Sequence, residues 1–567
     1  MDTKKLADLL FPDVTVTPEE LERRYPPREL PEGAKVTRFA PSPTGFIHLG
    51  GIYGAMIDER LAHQSDGVFY LRIEDTDAKR EVAGAAPALI RTLAEYGMHF
   101  DEGAAIGENG EVVDRGAYGP YKQSERAEIY HVYAKKLVED GKAYPVFTTK
   151  EELDELNARD KKAEVKSKVW TGEVSAEERR EMLRQREFTI DEVEAHLEAG
   201  DPYVLRILSD GDGEKKTKVT DLVRGTLELP ENDEDFVLLK SDGIPTYHFA
   251  HAVDDHLMRT THVIRGEEWL PSLPKHLQLF RYLGFRAPKY LHTAQIMKLD
   301  ENGNKKKLSK RDMGLDMKDY KRAGYLPECV TEYIMTILNS NYDEWRLQNP
   351  EKSYRDFPFS IKKMSNSGCL LDFAKLQDVS KNILCRMPAE EIYEKLTAWA
   401  TEYDPEFSRI LKADPEKAKR IFGIGKGGKK PRKDLATWQD AKPFAALFYD
   451  EYFTMQDDYP DGFSSAVIRE VLAGFLAGYD EKDDNTVWFE KVKALAGRLG
   501  FAEDMKAYKN NPEAYAGSVA DVSSMIRVAL TGRRNSPDLC EVMHILGRNT
   551  AVRRIEKELE RLSTKEA

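Results

Sequence analysis

The chain has 567 residues, 41% of them hydrophobic and 32% charged, which is the make-up of a soluble protein of several domains and excludes a disordered or fibrous one. A net charge of −14 counts against a general nucleic-acid binder, which needs a basic footprint, and leaves room for a partner gripped by local patches.

No apolar run approaches the roughly 18 residues that a membrane helix needs. The first residues, Met1 to Pro12, lack the apolar core and cleavage site of a signal peptide, so a cytoplasmic protein is expected. Four widely spaced cysteines, Cys329, Cys369, Cys385 and Cys540, form no Cys-x-x-Cys pair. They are expected to be reduced and partly buried, with neither a disulfide framework nor a cysteine zinc cluster.

Residues 1–34 read as an acidic, proline-bearing lead-in with a short helix over Pro18–Arg24. Next comes Arg38-Phe-Ala-Pro-Ser-Pro-Thr-Gly-Phe-Ile-His-Leu-Gly-Gly-Ile-Tyr-Gly54, read as a strand (Val36–Ala40), a tight turn and a helix starting near His48. A helix N-terminus offers unpaired N–H groups and a positive dipole end, which suit a phosphate, and His48 adds a donor there. Taken alone, such a corner also fits an ordinary strand–turn–helix joint.

Val68–Ile73 is a β-rich apolar run expected to be a buried parallel strand, ending in Glu74, Asp75 and Asp77. Ligand groups in open α/β sheets sit beyond the carboxyl ends of strands, so these acids can meet an ammonium, a ribose or a metal. For Asp77 a helix-capping role fits equally well. A helix over Ala85–Tyr96 follows, then Gly119-Pro-Tyr-Lys-Gln-Ser-Glu-Arg126, with Ser124 the expected cap of a helix running to about Asp140. Residues 150–200 read as an exposed helical insertion. Strands are expected over Tyr203–Leu208, Lys218–Val223 and Phe236–Lys240.

A second βα half-unit spans Gly243–Asp255 and Thr261–Trp269. Its histidines, His248, His251 and His256, have neither the spacing nor the fourth ligand of a zinc helix. Lys305-Lys-Lys-Leu-Ser-Lys-Arg311 follows an Asp300–Asn304 turn, and lysines on such a loop can neutralise charge that develops on a triphosphate. Beyond Tyr320 the pattern is helical almost throughout. Lys417–Arg420 and Gly425–Lys433 make its one dense basic tract, the Gly/Lys loop suited either to RNA phosphates or simply to solvent.

His48-Leu-Gly-Gly51 and Lys307-Leu-Ser-Lys-Arg311 resemble the two nucleotide-binding signatures of class I aminoacyl-tRNA synthetases. With Arg72-Ile-Glu-Asp-Thr-Asp77, Pro245-Thr-Tyr247, Val263-Ile-Arg-Gly-Glu-Glu-Trp269, Arg527–Arg533 and Val542–Gly547 in family order, the chain from Val36 onward is similar to the bacterial glutamyl-tRNA synthetases. The resemblance implies an α/β fold: a Rossmann-like doubly wound parallel sheet with an α+β insertion, followed by an all-α C-terminal half. It divides the chain into an extension (1–34), the first catalytic half (35–115), an acceptor-stem insertion (116–242), the second catalytic half (243–300), a lysine loop with stem-contact helices (301–386) and an anticodon-binding region (387–567).

It also implies ATP-dependent attachment of glutamate to its tRNA through a glutamyl-adenylate, with ATP, Mg²⁺, L-glutamate and tRNA as partners, in a monomer away from membranes. By resemblance Arg38 and Arg265 hold the glutamate side chain, Glu74 takes its ammonium, and Ala40, Ser42, Tyr247 and His251 line the pocket. His48 and Gly50 face ATP phosphates, Lys310 and Lys307 close on them, and Trp269, Ile296 and Met297 neighbour the adenine. Lys426, Lys429, Lys430 and Arg432 are the candidate tRNA contacts. Many relatives carry a zinc-binding Cys-x-Cys where this chain has Val146-Phe-Thr148, so no structural zinc is expected.

A glutaminyl enzyme is disfavoured by Arg265 and by the helical tail. A small nucleotidylyltransferase would lack the lysine loop, a non-catalytic tRNA-binding scaffold would be expected to have lost His48 or Lys310, and a queuosine-glutamylating paralogue would lack the C-terminal half.

Overall fold

The computed structural model describes residues 2–77, 82–147, 184–307, 316–365 and 369–564. Lys310, Thr148 and most of the expected 150–200 insertion lie outside them. The chain forms two compact units, Met1–Asp319 with Thr331–Asp372, and Tyr320–Val330 with Phe373–Ala567.

The first unit is built on parallel strands. β1 (Val36–Phe39) pairs with β2 (Val68–Leu71) so that Arg38 faces Tyr70, and β2 pairs with β3 (Glu102–Ile106), which carries the antiparallel edge strand β4 (Val112–Arg115). The run around β2 is buried, as its unbroken apolar pattern requires. Between β1 and β2 lies α3 (Leu49–His63), apolar on several faces and buried along most of its length.

On the other side, β10 (His262–Gly266) lies beside β1, tied by the Thr261 N–H to the Val36 carbonyl at 2.9 Å. β10 pairs in parallel with β11 (Lys289–Thr293), placing Arg265 opposite His292. β7 (Lys216–Asp221) joins that sheet where Asp221 meets Tyr290, and β8 (Gly225–Pro230) folds back on it as a hairpin. The sequence reading marks β7 but not β8, whose apolar face consists only of the half-buried Leu227 and Leu229. β5 (Ala143–Val146), β6 (Val204–Ile207) and β9 (Val237–Leu239) form a separate antiparallel sheet.

The lead-in is built into this unit. Its helix α2 (Pro18–Arg24) has the expected bounds, set by a Thr17/Glu20 capping box and Pro18 in the first turn. A second helix, α1 (Thr3–Leu10), is capped by Asp2 and was not expected. Glu22 pairs with His256 and, at 2.7 Å, with Arg259, whose positive φ of 62° turns the chain into β10.

The second unit is helical. One apolar core holds Phe407, Leu411, Phe422 and Trp438; another holds Leu472, Met525, Ile526 and Leu530. Gly324 has a φ of +83°, and a Cβ there would lie 2.6 Å from the Trp438 backbone nitrogen, so this junction requires glycine.

The stretch after Tyr320 is helical almost throughout, as expected, interrupted among the described residues by a short strand, β14 (Cys369–Leu370). Two expectations are corrected. None of the four cysteines is in a disulfide, and all four are buried rather than partly so. Ser124 caps no helix: it sits in a 3₁₀ turn, and its N–H and hydroxyl donate to Asp75 at 2.8 and 2.6 Å.

Candidate active site

The site forms where β1, β2 and β10 end together. Arg38, in β1, is buried and donates through Nε to both oxygens of Asp255 at 3.2 and 3.3 Å and through Nη1 to the Ile264 carbonyl at 3.4 Å. Arg72, just past β2, donates to Asp255 at 2.7 Å and to Glu74 at 3.0 Å. Asp255 comes from the helix Tyr247–Leu257, one turn after His251, whose Nδ1 lies 2.8 Å away. Burial opposes ionisation of Asp255, but Arg38 and Arg72 outweigh it and hold its carboxyl well below the usual carboxylate range. Glu74 is pushed up by burial, which Arg72 and Arg38 only partly offset.

Arg265, in β10, has a different environment. Its Nε donates to His292 Nε2 at 2.9 Å and its Nη1 lies 3.0 Å from His276 Nδ1. The guanidinium carbon sits 4.9 Å over the Tyr290 ring. Among the described residues no carboxylate lies within ion-pair distance of Arg265, and its buried Nη2 has no hydrogen-bond partner. Burial pushes His276 well below its ordinary value, and Arg265 and the neighbouring histidines add to this. Burial also takes His248, 2.9 Å from His276, down to about 3. These rings are neutral at physiological pH and accept hydrogen bonds.

Tyr247 and Trp269 pack together at 4.4 Å between ring centroids, with Tyr247 also 5.8 Å from both His251 and His276. Burial raises the Tyr247 phenol while the Arg265 guanidinium lowers it. His251 is fully buried, its Nε2 3.0 Å from the Tyr290 hydroxyl, and burial takes it down to about 4. Arg38, Glu74, Tyr247, His251, Arg265 and Trp269 are thus brought into one neighbourhood.

The corner expected to face phosphates stands at the start of α3. His48 is its N-cap, and its Nδ1 accepts the Gly51 N–H at 3.2 Å. A Cβ on Gly51, in the first turn of α3, would come within 2.9 Å of the Ile47 side chain, which would have to shift. Ala40 and Gly50 are half-buried and Ser42 is exposed, and the Glu74 N–H donates to the Pro41 carbonyl at 3.0 Å, tying the acid loop to this turn. Asp75 is spent on Ser124, while Asp77 is half-buried.

β12 (Ile296–Leu299) pairs with β14 on one side and with β13 (Lys305–Lys307) on the other, putting Met297 opposite Lys307. The third lysine of the run therefore stands opposite one of the residues expected near adenine. Of the basic tract, Lys429 and Lys430 are exposed, Lys426 donates to the Leu384 carbonyl at 2.5 Å, and Arg432 is paired with Asp434 at 2.7 Å. The last two are held by their own fold. Among the described residues no group of His, Cys, Asp or Glu is arranged to hold a metal ion, and no helix is long and apolar enough to cross a membrane.

Residues 35–376 match the catalytic domain of class I tRNA synthetases (E and Q), and residues 506–559 match an anticodon-binding domain. The chain is 51% identical to the glutamate–tRNA ligase of Acetivibrio thermocellus, over 98% of this chain and 100% of the relative. It is 46% identical to that of Clostridium perfringens over 98% and 100%. The chain belongs to the glutamate–tRNA ligases. A glutamate–tRNA ligase from Elizabethkingia meningosepticum, solved in complex with its amino acid, superposes with a TM-score of 0.73 at 29% identity, over 93% of this chain and 99% of that one. That of Elizabethkingia anophelis gives 0.72 at 28%, over 93% and 100%.

Membership gives the class of reaction, ATP-dependent joining of glutamate to tRNA in translation. The Acetivibrio alignment leaves out fewer residues than the lead-in contains, so that ligase shares most of the lead-in. The site residues that sequence reasoning missed are Asp255, His276, His292 and Asp221. Asp255 stands in the quoted Gly243–Asp255 motif, but its partners are 183 and 217 residues away, and no local spacing reports them.

Proposed function

We propose that the pocket between Arg38 and Arg265 binds L-glutamate with its side-chain carboxylate on Arg265 and Arg38 and its ammonium toward Glu74, with Tyr247 and Trp269 as a wall. The observation that carries this reading is the buried, unpartnered Nη2 of Arg265, a cation without an anion in a water-poor site. A carboxylate satisfies it; the amide of glutamine would set N–H donors against N–H donors.

ATP lies along the corner at His48 and Gly50, with Ile296, Met297 and Trp269 toward its base. The glutamate α-carboxylate attacks the α-phosphate, pyrophosphate leaves, and a ribose hydroxyl at the tRNA terminus then displaces AMP from the adenylate. A carboxylate is already a nucleophile, so the protein's part is to position the reactants and to meet developing charge, with Lys307 and Lys310 acting on the phosphates. Mg²⁺ arrives on the ATP phosphates, and no residue is assigned to it. Lys429 and Lys430 contact tRNA phosphates, and the protein works as a cytoplasmic monomer.

The test is charging of separate glutamate and glutamine tRNA transcripts with labelled glutamate and labelled glutamine, in ATP and Mg²⁺. Glutamate should appear on the glutamate tRNA. Its appearance on both tRNAs would extend the reading to a supplier of misacylated tRNA. Labelled glutamine on either would contradict the assignment of the pocket.

A further inference from the structure

Asp221, on the β7 strand, touches neither Arg265 nor the pocket wall, yet its hydrogen bonds determine what Arg265 meets. Its Oδ1 accepts the N–H groups of Val223 and Arg224 at 2.9 and 2.8 Å. Its Oδ2 accepts the His292 N–H at 3.0 Å and lies 2.8 Å from His292 Nδ1. A carboxylate surrounded by donors requires a proton on His292 Nδ1. His292 Nε2 is then bare and accepts the Arg265 Nε–H at 2.9 Å. The second support works the same way. His276 Nδ1 accepts from Arg265 Nη1, which leaves the proton on Nε2, 2.9 Å from His248 Nδ1. Asp221, His276 and His292 are almost wholly buried, so water cannot replace these bonds cheaply.

We propose that Asp221 and His292, with His276, are specificity-positioning residues: they fix the Arg265 guanidinium through neutral imidazoles, aim Nη2 at the substrate carboxylate, and leave the cation without a protein counter-charge. A carboxylate in direct contact with Arg265 would hold it as firmly but would compete with the glutamate side chain. With an imidazole between, Asp221 sets the tautomer of His292 without a direct ion pair to the guanidinium. This inference rests on the assignment of Arg265 to the glutamate carboxylate.

The experiment measures KM and kcat for glutamate, KM for ATP, and rejection of glutamine in aminoacylation by full-length variants. Asp221→Asn leaves one acceptor oxygen, which the Val223 and Arg224 N–H groups claim, and sets an amide NH₂ group against His292 Nδ1. His292→Phe removes the acceptor facing Arg265. Each should raise the glutamate KM roughly ten- to a hundred-fold, the scale of a hydrogen bond to a charged group, with ATP KM unchanged and glutamine rejection weakened. His292→Gln, whose carbonyl oxygen can stand where Nε2 stood, should retain most of the wild-type glutamate kinetics.

Glutamate and ATP parameters falling together, or His292→Gln behaving as His292→Phe does, would mean that these residues merely support the fold and would overturn the proposal. Should Asp221→Asn not fold, the two His292 variants decide alone. Arg265→Ala is the control. If it abolishes glutamate use while the Asp221 and His292 variants leave it untouched, the positioning role is wrong and the pocket assignment stands. If Arg265→Ala leaves glutamate kinetics unchanged, the assignment itself is wrong.

Discussion

Arg38 and Arg265 stand on the neighbouring strands β1 and β10, and the fold treats them in opposite ways. Arg38 shares Asp255 with Arg72, and Glu74 adds a second acid, so that region is a buried ion cluster close to internal balance. Arg265 is held by two neutral histidines and an aromatic face, with no carboxylate in contact among the described residues. Buried charges are costly unless paired, so an unbalanced cation in such a place implies a partner that arrives from outside. On the proposed reading the balanced region builds the pocket, and the unbalanced one selects what enters it.

The largest effect should come from removing the unbalanced cation. In Arg265→Ala, kcat/KM for glutamate is expected to fall on the order of 10³, as when one partner of a desolvated ion pair is truncated. ATP KM should stay within about threefold, since that contact is made elsewhere. Equal losses for both substrates would erase the distinction between the two arginines.

A third cation sharpens the comparison from the nucleotide side. If Lys310 meets charge only as it develops on the phosphates, Lys310→Ala should slow single-turnover adenylate formation about 10²- to 10³-fold while ATP affinity changes less. An unaltered single-turnover rate would remove that role.

The balanced region should respond in stability more than in specificity. Asp255→Asn strands two buried guanidinium groups and is expected to cost about 3–5 kcal/mol in denaturant unfolding of the catalytic unit. Asp255 is held below its unfolded value, so its contribution is complete above about pH 4 and is lost as pH falls through its folded value. The gap between wild type and variant should therefore persist from neutral pH down to about pH 4 and close only below it. A gap that closes at higher pH would mean that Asp255 is not the anion of this cluster.

The smallest effect belongs to the exposed basic tract. Lys429→Ala with Lys430→Ala should raise the tRNA KM less than about tenfold and flatten its salt dependence, with the glutamate KM unchanged. No change in salt dependence would leave the tract as a solvated loop.

The two regions also differ in how much of each the sequence made legible. Val36–Gly54 and Val68–Asp77 declare a strand, a turn, a helix and an acid-tipped strand through local spacing, and β1, α3 and β2 form there. Arg38, Glu74, Tyr247 and Arg265 follow from motifs in register. Their supports do not. Asp221 and His292 are 71 residues apart, and a hydrogen bond between side chains on neighbouring strands leaves no period in the sequence. The histidines of the second half drew attention as a weak metal motif, whereas His251 and His248 are acceptors and spacers around Asp255, His276 and Arg265. Asp75 and Ser124 show the same limit on a smaller scale: the cap signal at Ser124 was local, while its carboxylate partner came from a strand end 49 residues earlier.

The most direct measurement is a crystal structure of the protein with L-glutamate bound. The account predicts the side-chain carboxylate within hydrogen-bond distance of Arg265 Nη2, with the ammonium toward Glu74. Density with that carboxylate elsewhere, and Nη2 still unpartnered, would contradict it.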